Sequence, residues 1–168
     1  MSTDANQSSL RVLERVASDQ PLKTFCGHCG RSPEADDDTQ NESRVCSKCG
    51  LGLLLQAPAD TAPGASDPFL VIDGALNICA LSRQAEKLLD VTETEAVNRH
   101  VAEFLVPAAA ESASGESLAT LLAWAARGES PSTQVVIRPT NTFGVRYWAR
   151  IGPCGPPTAA LLVLADAR

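Results

Sequence analysis

Residues 67–168 read as an α+β fold and the residues ahead of them as a small module held by cysteines, on three observations. Cysteine pairs of the form C-x2-C stand at Cys26/Cys29 and Cys46/Cys49. The stretch APADTAPGAS at 57–66 is rich in Pro, Ala and Gly without periodic apolar residues, the composition of a semi-stiff linker. Beyond it come two apolar runs, several helical stripes and three more apolar runs, in that order.

The 168-residue chain has room for one ordinary domain and an appendage. Its apolar runs LGLLLQA (51–57) and AALLVLA (159–165) fall far short of the ~20 residues that span a bilayer. The start MSTDANQSSL lacks a basic patch followed by an apolar stretch, so the expectation is a cytoplasmic protein without membrane contact. A net charge of −6 repels phosphate backbones, and the Lys and Arg residues after position 57 are scattered, which argues against nucleic acid as a partner.

Within a first segment, 1–23, Leu10, Val12, Leu13 and Val16 lie at helical spacing ahead of Pro21 and predict a short amphipathic helix over 8–19. Alone it would be marginal, so it is expected to dock on the cysteine module or on a second copy of the chain.

The cysteine module, 24–56, contains FCGHCG and VCSKCG. Four thiolates at this spacing suit one tetrahedral metal site, because each two-residue turn aims both sulfurs at a common point and the trailing glycine lets backbone amides approach. Structural zinc is the expected ion. Iron uses the same ligand set, and the sequence does not separate the two. Paired disulfides fit a reducing compartment poorly, and a redox dithiol normally opens a helix in a βαβ unit that is missing here. A closed four-sulfur site leaves no position for substrate, so no catalysis is expected at the metal. His28 sits between two ligands and is expected to point away from the ion or to support it indirectly. The module resembles a zinc ribbon over about residues 24–52. Its loop, RSPEADDDTQNESR, is acidic and reads as solvated, with a basic protein partner as the alternative. GLGLLLQ continues as a strand or a helix, which periodicity does not decide.

In the larger module, FLVI and LNICAL flank Asp73-Gly74, hairpin chemistry. Ser82 is placed to cap a helix whose stripe is Ala85, Leu88 and Leu89, up to Asp90. Thr92 and Glu95 fit a capping box for another short helix, followed by VAEFLV and Pro107. Leu118, Leu121, Leu122 and Ala125 mark a longer helix that Gly128 ends. STQVVIRP, TFGVRYWARI and TAALLVLAD read as strands.

This order, with FLVIDGALNICALSRQAEKLLDVTETEAVNRHVAEFL as its most specific stretch, resembles the PAS domain over about residues 66–167. The resemblance implies a five-stranded antiparallel sheet with helices on one face and a sensory or partner-binding role. It places Asp73-Gly74 at the family's first turn and Ser82 at the residue opening the helix. It also puts Asn98 where the family has glycine, so Asn98 is expected to be left-handed. No cysteine follows Asn98 in NRHVAEFL, as the flavin-binding light sensors require, and no histidine lies on the long helix, as in haem-binding members. An organic cofactor is therefore not expected. Haem would have to use His100 or Cys79, each better read as structural. Cys154, in IGPCGPP, reads as an exposed loop residue, with a redox switch as the alternative.

With helices on one face, the strands should alternate apolar and polar. Trp148 breaks the alternation, and so do the runs Phe69–Ile72 and Leu161–Leu164, whose residues must point to both faces. An apolar outer patch is expected, containing Val136, Trp148, Leu162 and Leu164, covered by the chain's own N-terminal helix or cysteine module, by a second subunit or by another protein.

The functional expectation is a non-enzymatic regulatory or sensory protein acting through protein contacts, homodimeric and with an unidentified protein partner. A small ligand could occupy a pocket between the helices and the inner sheet face, with residues that the sequence does not identify. The alternative is a transcription-associated factor whose zinc ribbon touches nucleic acid or polymerase. Carboxylates show no paired arrangement suited to acid–base chemistry.

Overall fold

The computed structural model describes residues 20–33, 43–108 and 117–166. The expected helix at 8–19 and the central residues of the acidic loop lie outside the described residues.

The cysteine module is a β-hairpin of β1 (Leu22–Cys26) and β2 (Leu54–Pro58), paired Leu22 to Pro58 through Cys26 to Leu54. The end of the run GLGLLLQ, from Leu54, thus resolves as a strand. Within the segment 57–66, Ala57 and Pro58 complete β2, and Thr61 is buried with its hydroxyl 2.6 Å from that of Ser132.

The larger module is an antiparallel sheet of six strands in the order β4-β3-β8-β7-β6-β5. Its strands are β3 (Phe69–Ile72), β4 (Ile78–Leu81), β5 (Leu105–Pro107), β6 (Thr133–Pro139), β7 (Tyr147–Cys154) and β8 (Ala159–Asp166). The sixth strand is the short edge strand β5, which pairs with β6 through Leu105–Pro139 and Pro107–Ile137.

The helices are α1 (Arg83–Leu89), α2 (Glu93–Ala96) and α3 (Leu118–Ala126), and the first two begin on the caps expected at Ser82 and Thr92. The Ser82 hydroxyl accepts the Ala85 N–H, and the Thr92–Glu95 capping box forms both of its bonds. A third cap, Ser117 on Thr120, opens α3, and Gly128 follows its end at φ 71°. Asn98 is left-handed, φ 67°.

The β3–β4 turn differs from a two-residue Asp-Gly turn. Asp73 Oδ1 accepts the N–H groups of Ala75 and Asn77, and the left-handed residue is Leu76, φ 68°. Leu76 packs against the inner core, and that contact holds a conformation a leucine otherwise avoids.

The sheet has two apolar faces. The inner one packs Leu70, Ile72, Leu162, Leu164, Ala149 and Ile151 against α1 and α3 through Leu89, Leu121, Leu122 and Ala125. The outer one packs Phe69, Val71, Leu161, Val163 and Cys154 against Phe25, Leu55 and Ala57 of the hairpin. The cysteine module of the same chain is therefore what covers this part of the sheet. Phe25 meets Phe69 edge to face, with ring centroids 5.6 Å apart. Gln56 and Gly155 exchange backbone hydrogen bonds of 2.6 and 3.0 Å, tying β2 to the β7–β8 turn.

Candidate metal centre

The metal site grows out of two matching turns. After Cys26 the chain turns so that the Gly30 N–H reaches the Cys26 carbonyl at 3.0 Å, and after Cys46 the Gly50 N–H reaches the Cys46 carbonyl at 2.8 Å. Both glycines are left-handed, φ 72° and 68°, a conformation that a side chain resists and that brings the second sulfur of each pair beside the first.

The result is four sulfurs within 4.8 Å of one another, with Cys26 Sγ 3.6 Å from Cys49 Sγ and Cys29 Sγ 3.9 Å from Cys46 Sγ. A tetrahedron with corners ~2.3 Å from its centre has edges of about 3.8 Å, so the donor set fits a four-coordinate ion of zinc's size. The cluster is bonded to its surroundings as well. Backbone N–H groups of His28 and Cys29 point at Cys26 Sγ, each at 3.4 Å, and such donors stabilise thiolate sulfur.

The thiols ionise unevenly. Burial pushes Cys26 up to about 12 against the N–H groups of Cys29 and His28. Burial acts upward on Cys49 too, but the N–H groups of Gly52 and Leu51, together with the sulfurs of Cys26 and Cys29, bring it down to about 6. A divalent cation held by all four sulfurs would require each of them as thiolate, so its binding would release protons.

His28 does not turn to the sulfurs. Its Nδ1 lies 3.3 Å from Glu93 Oε2 on α2, and its Nε2 lies 3.3 Å from Arg83 Nε on α1. The Arg83 N–H donates to the His28 carbonyl at 3.3 Å. The imidazole thus clamps the first knuckle to the helical edge of the sheet. The Arg44 guanidinium donates to the Pro156 carbonyl and ties the second knuckle to the β7–β8 turn.

A cavity of about 390 Å³ beside the site is lined by Cys29 and Cys49 and by three cations, Arg31, Lys48 and Arg83. Sequence reading missed this cluster because its members come from three separate segments; only the fold gathers them. Asp67, near Arg150 at 3.8 Å, stands at the rim.

The residues expected on the outer face divide. Trp148 is 44% exposed on β7, opposite Val136, which is buried. Leu162 and Leu164 are corrected: both lie in the inner core at 0% and 1% exposure, because Leu161 and Val163 take the outward positions of β8. Cys154 is also corrected, from exposed loop to buried strand end, opposite Ala159 and 6% exposed, with its thiol pushed up to about 12 by burial. Cys79 is exposed as a residue, but its thiol is partly shielded from water, and this desolvation, followed by the nearby Asp73, raises its pKa. His100 Nδ1 accepts the Ala102 N–H at 3.1 Å and serves as a local cap. Phe143, expected in a strand, is 86% exposed ahead of β7.

No described helix is long and apolar enough to cross a membrane. No family model and no curated protein matches the chain. Among solved structures it is similar to the PAS domain of an HTR-like protein from Haloarcula marismortui, at 16% identity over 60% of this chain and 80% of that one, TM-score 0.44. It is similar also to the PAS domain of nitrogen regulation protein NR(II) from Vibrio parahaemolyticus, at 16% identity over 60% and 89%, TM-score 0.42. A PAS domain from Desulfitobacterium hafniense matches at 18% identity over 60% and 92%, TM-score 0.44.

Proposed function

We propose that the chain is a non-enzymatic regulatory module in which a PAS-type sheet carries a structural zinc site on its outer face and signals through protein contacts. The observation that carries this reading is the hairpin whose β1 ends on Cys26, the first of the four clustered cysteines, packed through Phe25, Leu55 and Ala57 onto β3 and β8. A metal held there sets the shape of a platform continuous with the sheet.

The chemistry supports a structural rather than a catalytic ion. Four sulfurs fill a tetrahedral shell. His28, the nearest candidate base, has one ring nitrogen against Glu93 and the other against Arg83. The raised pKa of Cys79 works against a nucleophilic role.

Contacts with other proteins, including a second copy, are assigned to the outer face around Trp148, which the hairpin leaves exposed. Native mass spectrometry of the full chain, with sedimentation of wild type and Trp148→Glu, tests the reading. One zinc per chain is expected, with a wild-type dimer that the substitution dissociates without unfolding. A chain without metal refutes the zinc assignment, and a wild type that is monomeric at micromolar concentration refutes self-association.

The cationic cluster of Arg31, Lys48 and Arg83 favours a second reading, in which the metal module touches nucleic acid. Retention on a nucleic-acid column that weakens steeply with salt supports it; flow-through at physiological salt removes it.

A further inference from the structure

The hairpin does not lie flush on the whole outer face. Between its metal-binding end and the edge of the sheet opens a second cavity, of about 500 Å³, well within the range that takes a small organic ligand. Its walls are apolar and come from both modules: Leu53 and Leu55 from the hairpin side, Val71, Ala80 and Ala159 from the sheet. At the mouth, Leu51 and Leu53 are 70% and 48% exposed, leucine surface held in water beside a concave apolar wall.

The polar part of the groove has one sign. Asp73 and Glu93 line it together with His28, and no lysine or arginine is among the lining residues. One oxygen of each carboxylate is already held. Asp73 Oδ1 accepts two turn N–H groups, and Glu93 Oε2 accepts the Leu81 N–H at 3.4 Å and faces His28 Nδ1. The other oxygen of each has no hydrogen-bond partner among the described residues.

We propose that this groove binds a small organic cation with an apolar body, such as a primary amine on an alkyl chain. The chain lies along the leucine and valine wall, and the ammonium donates to the free oxygens of Asp73 and Glu93. The site is separate from the inner face of the sheet, and it does not depend on what the metal module signals to.

Octylammonium and octanoate share one apolar body and differ in head charge, so they separate wall from charge. Each is titrated into the zinc-loaded full chain while backbone amides are followed by NMR. Octylammonium is expected to move Leu53, Val71 and Ala80, and to bind at least about tenfold more tightly than octanoate, the factor that one charge-assisted hydrogen bond supplies. Asp73→Asn with Glu93→Gln keeps the acceptors that hold the turn and the Leu81 N–H, and should erase the preference. The proposal is overturned if neither compound moves these amides, if octanoate binds as tightly, or if the double variant keeps the preference. It is also overturned if the shifts fall on Leu122 and Ile137 of the inner core, or if dilution alone moves the groove amides, which would seat a second copy there.

Discussion

Gly52 is the most sensitive backbone position in the metal module. A Cβ built on it would stand 2.3 Å from Cys26 Sγ, 2.8 Å from His28 Cβ and 2.9 Å from the His28 nitrogen. Carbon and sulfur normally keep ~3.7 Å apart, so Gly52→Ala requires a displacement of about 1.4 Å, against a tolerance of ~0.2 Å in a metal–ligand distance. The sulfur cannot yield by that much and remain bound.

If one of four ligands is lost, roughly a quarter of a structural site's ~12 kcal/mol disappears, about 3 kcal/mol or roughly a 100-fold fall in zinc affinity. Gly50→Ala is the control: nothing lies within 4 Å of its Cβ, so it meets only the strain of its left-handed φ of 68°. That strain costs ~1–2 kcal/mol, so a smaller loss is expected there. Competition against a chromophoric chelator at fixed pH measures both variants. Wild-type zinc affinity in Gly52→Ala, or a larger loss in Gly50→Ala, refutes the packing of Gly52 against the ligand sulfur.

Two further outcomes follow from packing and capping. Phe25→Ala empties a fully buried ring site against Phe69 and should lower the unfolding free energy of the zinc-loaded chain by about 3–5 kcal/mol in urea, with an unchanged slope. A loss near zero would mean that the hairpin is not seated on the sheet. Glu95 is held below the ordinary carboxylate range by the Thr92 N–H and the Thr92 hydroxyl. Because its folded-state pKa is the lower one, the stabilisation is complete above the ordinary value and disappears as pH falls through the depressed one. Thr92→Ala removes the hydroxyl and keeps the backbone N–H, so Glu95 should move only part of the way back toward the ordinary value in a side-chain NMR titration.

Legibility in the sequence follows the range of the interaction. The cysteine spacing, the Ser82 and Thr92 caps and the left-handed Asn98 are local chemistry, set within a few residues, and the structure shows each of them. The unbroken apolar runs of β3 and β8 announced a sheet buried on both faces, and it is. Those same runs hid which residues face which way: in Leu161–Leu164 every position is apolar, so nothing but the partner strands decides that Leu162 and Leu164 turn inward. β5 has three residues, too few to display a period, and it exists because β6 offers it an edge. Gly152 and Pro153 resemble turn residues, yet β7 runs through them to Cys154 because β8 pairs with each. The groove and the cationic cavity join segments distant in sequence, and no local pattern encodes them.

The two-faced sheet also explains why the metal and the larger domain should report on each other. A hairpin of two five-residue strands has too little core to stand alone, and a metal bound by the four cysteines would fix only its knuckle end. Its other support is the outer face of β3 and β8, where Phe69, Val71, Leu161 and Val163 are all at most 4% exposed. Loosening the knuckles therefore loosens the cover over four large apolar side chains, while the inner core beneath α1 and α3 keeps its own contacts. Chelation of zinc should uncover the outer face first, detectable as faster amide exchange in β3 and β8 than in α3. Equal exchange in all three after chelation would mean that the metal end and the sheet are energetically separate, and the coupling on which the regulatory reading rests would be lost.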